Sequence, residues 1–331
     1  MRRPEEDVMP GSVTVSAPAR LHLGFLDMNG GLGRSFGSLG LAIDRPVTRL
    51  SIRRAARSGV EGPEAERVLR HLDRMIHHLG LGPNYRVTVE EVIPAHAGLG
   101  SGTKLALALA SALRQLEDLA LDPSADAVVL RRGARSGLGV GLFEQGGFIV
   151  DGGRGERTSS PPVIARLAFP PEWRVILVRD PRAEGLHGET ETDAFADLRP
   201  FAASAAGEIC RLVLIKILPA LAERDLASFG AAISRVQEIV GDYFAPVQGG
   251  AAFANAAVAQ AVEALKAEGA TGIGQSSWGP TGFAFAPSAR EAERLHGAVR
   301  EKLAASGLDV MICKGLNHGA FVQGETLTAI K

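Results

Sequence analysis

The stretch Val92–Glu117 limits what this chain can become more than any other. It begins as an extended apolar run that stops at Pro94, crosses a loop of small residues, and turns into a long helix former near Thr103. Gly98, Gly100 and Gly102 remove the side chains that would hold a ligand off the backbone. Ser101 and Thr103 are placed to cap the helix, whose start directs free N–H groups and a partial positive charge at the loop. Such helix starts bind phosphate. The segment Leu105–Leu113 that follows is almost entirely apolar, so it is predicted to run through a domain rather than over it. An anion site on a buried helix is the first expectation.

Composition narrows the partners. At 331 residues the chain exceeds one small core, and two domains are expected. Its 36 Lys+Arg nearly balance 37 Asp+Glu, leaving a net charge of -1 and no global field for nucleic acid or an anionic membrane. Cys210 and Cys313 lie far apart in apolar patterns, without metal-ligand spacing, which fits buried thiols in a reducing compartment. The opening Met-Arg-Arg-Pro-Glu-Glu-Asp lacks a signal-peptide core, and no apolar run approaches a membrane span. A cytoplasmic protein is expected, with neither nucleic acid nor membrane as partner.

In chain order, residues 1–11 read as disordered. Alternation predicts strands at Ser12–Val15 and again over Pro18–Asp27, with Arg20 and His22 on one face and Leu21 and Leu23 on the other. Asp27-Met28-Asn29-Gly30-Gly31 is a hairpin turn, and Ser38–Ile43 and Leu50–Arg54 are further strands. Glu64–Leu79 carries a helical stripe of Val68, Leu69, Leu72, Ile76 and Leu79 that His71, His77 and His78 mostly avoid. Helices are also predicted at Ser124–Arg135, in a short piece ending near Gln145, at Phe195–Ala222 with a break near Pro219, at Ala227–Val240, Ala252–Glu268 and Ser288–Ala305. Strands are predicted at Trp173–Val178, Gly272–Trp278, Gly282–Ala286, Val310–Cys313 and Ala320–Val322. The boundary region around Pro170-Pro171 divides the chain into domains 12–165 and 166–331, in an α+β arrangement.

Two familiar phosphate loops do not fit. The P-loop order Gly-Lys-Ser/Thr is broken by Gly102-Thr103-Lys104, and no Gly-x-Gly-x-x-Gly starts at Gly98. Pro94–Thr103 instead resembles the second motif of the GHMP kinase superfamily, with Ala17–Gly24 similar to its first motif and Gly272–Gly279 to a modified third. The resemblance implies a GHMP-kinase-like two-domain α+β fold: a first domain like the second domain of ribosomal protein S5, then a ferredoxin-like α/β sandwich. It also suggests a homodimer.

The departures from that pattern point to a different reaction. Mevalonate-kinase-like members carry Ser-Gly-Val-Asp where this chain has Ser136-Gly137-Leu138-Gly139, so the base is replaced by glycine. Lys104 stands where the kinases have a small residue, and Ser276-Ser277-Trp278 replaces a glycine-rich third motif. With Arg20–Gly30, Gly33-Arg34, Phe143–Gly153, Gly185–Glu189 and Asn317–Ala320, the chain resembles the β-ribofuranosylaminobenzene 5′-phosphate synthase family over residues 12–325. That resemblance implies a decarboxylating phosphoribosyl transfer opening methanopterin synthesis. Phosphoribosyl pyrophosphate and 4-aminobenzoate, or equally 4-hydroxybenzoate, give the C-riboside phosphate, pyrophosphate and CO2 with Mg²⁺. No hydroxyl needs deprotonating, which agrees with Gly139.

On this reading Gly98, Leu99, Gly100, Ser101, Gly102, Thr103 and Lys104 hold the pyrophosphate as its charge develops. Arg20, Arg34, Arg179 and Arg182 are candidates for the 5′-phosphate and carboxylate. His22, Asp27, Glu144 and Lys104 are candidate catalytic groups; Asp27, Glu144 and Glu189 are candidate Mg²⁺ ligands. His187, Ser276, Ser277, Asn317 and His318 complete the candidate contacts. Each has a plainer reading: Asp27 as a turn residue, Glu144 as a helix-end ion pair, His187 and Glu189 as a solvated loop, Asn317 and His318 as a turn, Trp278 as core rather than a platform for the aromatic acid. An ATP-dependent small-molecule kinase and a non-catalytic phosphate-binding regulator are the competing functions.

Overall fold

The computed structural model describes residues 11–82, 84–185, 198–303 and 306–325. His187 and Glu189 lie outside the described residues, as does the expected disordered N-terminus apart from Gly11. Strand β1 (Ser12–Asp27) and strand β2 (Arg34–Arg54) form one long antiparallel hairpin. Its turn is fixed by Asp27, whose Oδ1 accepts from the N–H groups of Asn29 at 2.6 Å and Gly30 at 3.3 Å. Val13, Val15, Ala17, Ala19, Leu21 and Leu23 are all buried, so the period-two pattern of β1 holds along its length. The register slips at Pro18/Ala19 and at His22/Gly24, bending the part that carries Arg20 and His22. The two strands expected in residues 38–54 are one continuous β2.

The first sheet runs β12 (Phe321–Glu325), β1, β2, β4 (Tyr85–Glu91), β3 (Gly59–Glu61), with β5 (Phe148–Asp151) and β6 (Arg154–Gly155) also on β2 and β7 (Val163–Leu167) on β5. Helix α1 (Ala65–Leu79) presents Val68, Leu72 and Met75 to the interior, while His71, expected off the apolar stripe, is itself buried. Helix α2 (Ser101–Leu116) is the predicted central helix: Leu105 through Leu113 is buried throughout, between the sheet and α1. Helix α3 (Pro123–Val129) is shorter than its sequence pattern. It ends in a Schellman turn, with Arg131 in the left-handed conformation (φ 55°), Arg131 N–H donating to Val128 O and Arg132 N–H to Ala127 O. The ion pair of Arg114 with the buried Asp126, at 2.7 Å, fastens α3 to α2.

After helix α4 (Leu138–Glu144) and the β5–β7 strands, the second sheet is built in the order β11 (Asp309–Lys314), β8 (Arg174–Arg179), β10 (Thr281–Ala286), β9 (Thr271–Gln275), all antiparallel. Taken with the intervening helices this is the ferredoxin-like strand order. The helices are α5 (Ala203–Leu212), α6 (Leu218–Glu223), α7 (Leu226–Phe244), α8 (Ala256–Ala267) and α9 (Ala289–Leu303). A π-helical stretch, Val213–Ile217, takes up the break expected near Pro219. The last strand, β12, leaves this half and pairs with β1, so the chain crosses back over the expected 165/166 division. Phe148 of β5 packs edge-on against Phe229 of α7, which in turn meets Phe169, Trp173 and Phe285. Burial of each such ring contributes on the order of 1.5–3 kcal/mol, and the two halves share one core.

Candidate active site

The loop between β4 and α2 is held by its carbonyls. Gly185 N–H donates to His96 O (2.9 Å), Thr281 Oγ1 to Ala97 O (2.7 Å), Ser276 Oγ to Gly98 O (2.7 Å) and Arg20 N–H to Leu99 O (3.1 Å). The Arg20 guanidinium also donates to Gly98 O. Four consecutive carbonyls are thus turned into the protein. The sequence leads one to expect a side-chain cap on α2, and the structure corrects this: Gly100 is the N-cap, left-handed at φ 84°, with no side-chain cap. Ser101 is already helical. Among the described residues, the N–H groups of Ser101, Gly102 and Thr103 have no protein partner, leaving a preformed row of donors for an anion.

Close approach explains the glycines. A side chain at Gly98 would strike the Ser276 carbonyl oxygen, and φ there is +74°. A Cβ at Gly100 would come 2.9 Å from Arg20 Cγ, so Arg20 lies across the loop. Ser276, buried in the β9–β10 turn, links the two halves: its Oγ accepts from His22 N–H at 3.0 Å while donating to Gly98 O. Ser277 is left-handed (φ 58°), and its carbonyl accepts from Gln275 Nε2.

Burial disfavours the charged form of both buried bases of the site. Burial, with a smaller push from Arg20, holds the Lys104 ammonium well below the usual lysine range, and the same two causes act on His22. Lys104 is 0% exposed and its Nζ, 5.6 Å from the Phe143 ring centroid, has no hydrogen-bond partner. The His22 ring lies 4.5 Å from that of Phe25, with Nε2 unpartnered. A cavity of about 20 Å³ beside it, bounded by Phe244, Gln237 and Gln275, has room for one water and not for an aromatic ring.

Gly139 meets the loop from the other side. A Cβ there would be 2.7 Å from Thr103 Cγ2 and 3.3 Å from Thr103 Oγ1. The position that resembles the place of the kinases' aspartate is therefore crowded by the Thr103 side chain. Gly139→Asp is expected to destabilise the protein by about 1–3 kcal/mol through overpacking and to confer no phosphoryl transfer from ATP, which thermal melts and an ADP-release assay check.

Other candidates have their own partners or packing. Glu144 ends α4, at the opposite end from Gly139, and burial and Asp122, the N-cap of α3, raise its pKa. Asp27 is engaged by its turn. Arg34 donates to the carbonyls of Gly152 and Gly153, and Arg179 pairs with Asp309 at 2.6 Å. Arg182 grips Asp180, which holds that carboxyl down at about 2, and reaches Ser306 O. Asn317 pins Phe169 through both its amide atoms, and the His318 ring contacts Gly319 O. Trp278 is buried 4.2 Å from the Phe244 ring and is core. Among the described residues no three His, Cys, Asp or Glu side chains converge as a metal site. The sequence reading passed over Asp151 as a site residue. It is fully buried and accepts from Ser136 Oγ and from the N–H groups of Gly137 and Gly153, fixing the entry to α4.

The carbonyl-anchored loop, the bare helix start and the two sheets define a GHMP-kinase scaffold. Residues 65–147 match the GHMP kinases N terminal domain and residues 217–305 the GHMP kinases C terminal family. The L. major mevalonate kinase, solved in complex with R-mevalonate, superposes with a TM-score of 0.71 at 15% identity, covering 96% of this chain and 100% of its own. The chain is 33% identical to the beta-ribofuranosylphenol 5′-phosphate synthase of Archaeoglobus fulgidus, over 92% of this chain and 98% of the relative. It is 30% identical to the enzyme of that name from Methanothermobacter thermautotrophicus, over 93% and 98%. It belongs to the beta-ribofuranosylphenol 5′-phosphate synthase family of enzymes. Among the described residues no helix is long and apolar enough to cross a membrane.

Proposed function

We propose that this protein transfers the phosphoribosyl group of phosphoribosyl pyrophosphate to a para-substituted benzoate with loss of CO2, the first committed step of methanopterin synthesis. The bond from C1 to the diphosphate oxygen breaks and its electron pair leaves with pyrophosphate. The ring carbon bearing the carboxylate bonds to C1, driven by its para donor, and the ring–carboxylate bond then breaks to release CO2 and restore aromaticity. The relatives are named for a ribofuranosylphenol, which favours 4-hydroxybenzoate over 4-aminobenzoate as the acceptor. The observation that supports the reading is a glycine at 139, crowded by Thr103 and offering no base, beside an open row of N–H donors suited to a departing anion.

Mg²⁺ belongs to this proposal as an ion carried by the diphosphate oxygens. The described carboxylates do not gather into a cage, and Mg²⁺ commonly binds through substrate phosphates while keeping several waters. A homodimer belongs to it as well, checked by sedimentation. The decisive experiment supplies phosphoribosyl pyrophosphate, Mg²⁺ and carboxyl-labelled 4-hydroxybenzoate or 4-aminobenzoate and measures labelled CO2. Release with one acid identifies the acceptor. No release, with ADP formed from ATP and a hydroxylated substrate, overturns the reading in favour of a kinase.

A further inference from the structure

On the side of α2 facing α1 lies a group of cations that the loop does not explain. The Schellman turn ending α3 swings Arg132 back so that its Nη1 is 3.2 Å, and its Nη2 3.8 Å, from where a Cβ of Gly102 would be. Any larger residue at 102 would crowd that guanidinium, which packs directly on the first turn of α2. Arg132 Nε is buried without a hydrogen-bond partner, and among the described residues no carboxylate pairs with Arg132. Against it stands His71 of α1, only 5% exposed, with neither ring nitrogen partnered. Arg67 and Arg74 also face Arg132; Arg67 is paired with Glu64 at 3.3 Å, whereas among the described residues no ion pair engages Arg74.

A desolvated guanidinium beside further cations is unfavourable unless an anion joins it. The backbone next to it offers the positive end of a sixteen-residue helix with its first N–H groups open. We propose that Arg132, supported by His71 and Arg74, is the side-chain clamp of this site, gripping the distal phosphate of a diphosphate seated on Ser101–Thr103. The proximal phosphate then lies toward Arg20, on the other flank of the loop. The clamp rests on the diphosphate reading of the loop but not on the transfer reaction. A diphosphate has two possible sources, a phosphoribosyl donor or a nucleotide, and the test separates them.

The full-length protein is titrated calorimetrically with inorganic pyrophosphate, phosphoribosyl pyrophosphate and ADP, each with Mg²⁺, as wild type, Arg132→Gln, Arg132→Lys and Arg74→Ala. Pyrophosphate affinity is expected to fall at least tenfold in Arg132→Gln, partly recover in Arg132→Lys, and fall several-fold in Arg74→Ala. Ligand-free Arg132→Gln is expected to melt no lower than wild type, because an unpaired desolvated cation has been removed, while pyrophosphate raises its melting temperature less. Tight binding of phosphoribosyl pyrophosphate over ADP assigns the clamp to the glycosyl donor; the reverse assigns it to a nucleotide. Pyrophosphate binding by Arg132→Gln within twofold of wild type overturns the clamp and leaves the loop reading intact. Absence of pyrophosphate binding in the wild type overturns both.

Discussion

Lys104→Met is expected to raise the melting temperature of the ligand-free protein and to lower turnover by on the order of a hundredfold or more, the cost of losing a donor to a developing anion. The two effects have opposite signs because the side chain serves opposite states. Without ligand, the Lys104 amine is sealed beside Phe143 with no partner, and leaving a buried polar group unsatisfied costs about 1–3 kcal/mol. Methionine fills a similar volume without that penalty. With a diphosphate on the helix start, the amine gains a counter-charge, takes up its proton and helps hold the leaving group. The pH dependence follows from the lowered pKa. Lysine lowered by burial weakens folding at pH values below its unfolded value of 10.5, so the stability gap between variant and wild type narrows as pH rises toward that value. Melts across pH, paired with CO2 release, check this. Unchanged turnover in a more stable variant would make Lys104 a core residue only.

Gly98→Ala is expected to have the largest effect on stability of any single methyl added to the loop, about 3 kcal/mol or more, combining left-handed strain with overpacking. Its Cβ is directed onto the Ser276 carbonyl and lies 3.0 Å from Gly279 Cα, so backbone of the second half of the chain must move. The Ser276 bonds to Gly98 O and from His22 N–H would be disturbed together. Gly80→Ala is the control: Gly80 has φ +66° with open space around its Cβ position, so it carries the strain without the clash and should lose only about 1 kcal/mol. The difference between the two in denaturant unfolding isolates the contact between the halves. Equal losses would mean that the loop yields without disturbing the β9–β10 turn.

Much of the loop could be read from the chain because its information is local. Mostly small residues from Ala95 to Gly102 followed by an unbroken apolar helix leave few other structures, and the missing aspartate at Gly139 is visible in the sequence. Glu144 shows where local reading fails. It is five residues from Gly139, but the intervening residues are helical and carry it along α4 toward Asp122. Asp27, Arg34, Arg179, Arg182 and Asn317 are all of a type suited to anions or metals, and in each case nearby backbone or an opposite charge already satisfies them. Residue type announces capacity; only the fold shows whether that capacity is already taken up.

The amino-acid order by itself determined the buried α2, the glycine-rich loop before it, the alternating face of β1 and the glycine at 139, because helical and strand periods and missing side chains are properties of neighbouring residues. The tertiary structure decided the rest. It made Gly100 rather than a hydroxyl the start of the helix, so the N–H row stays open for an anion. It enclosed Lys104 and His22, so that burial works against the charged form of each. It brought Arg132 to Gly102 from the turn that follows α3, through a chain reversal that no spacing records. Desolvation and electrostatic pairing depend on what surrounds a group in space, and that environment exists only once the distant segments have packed.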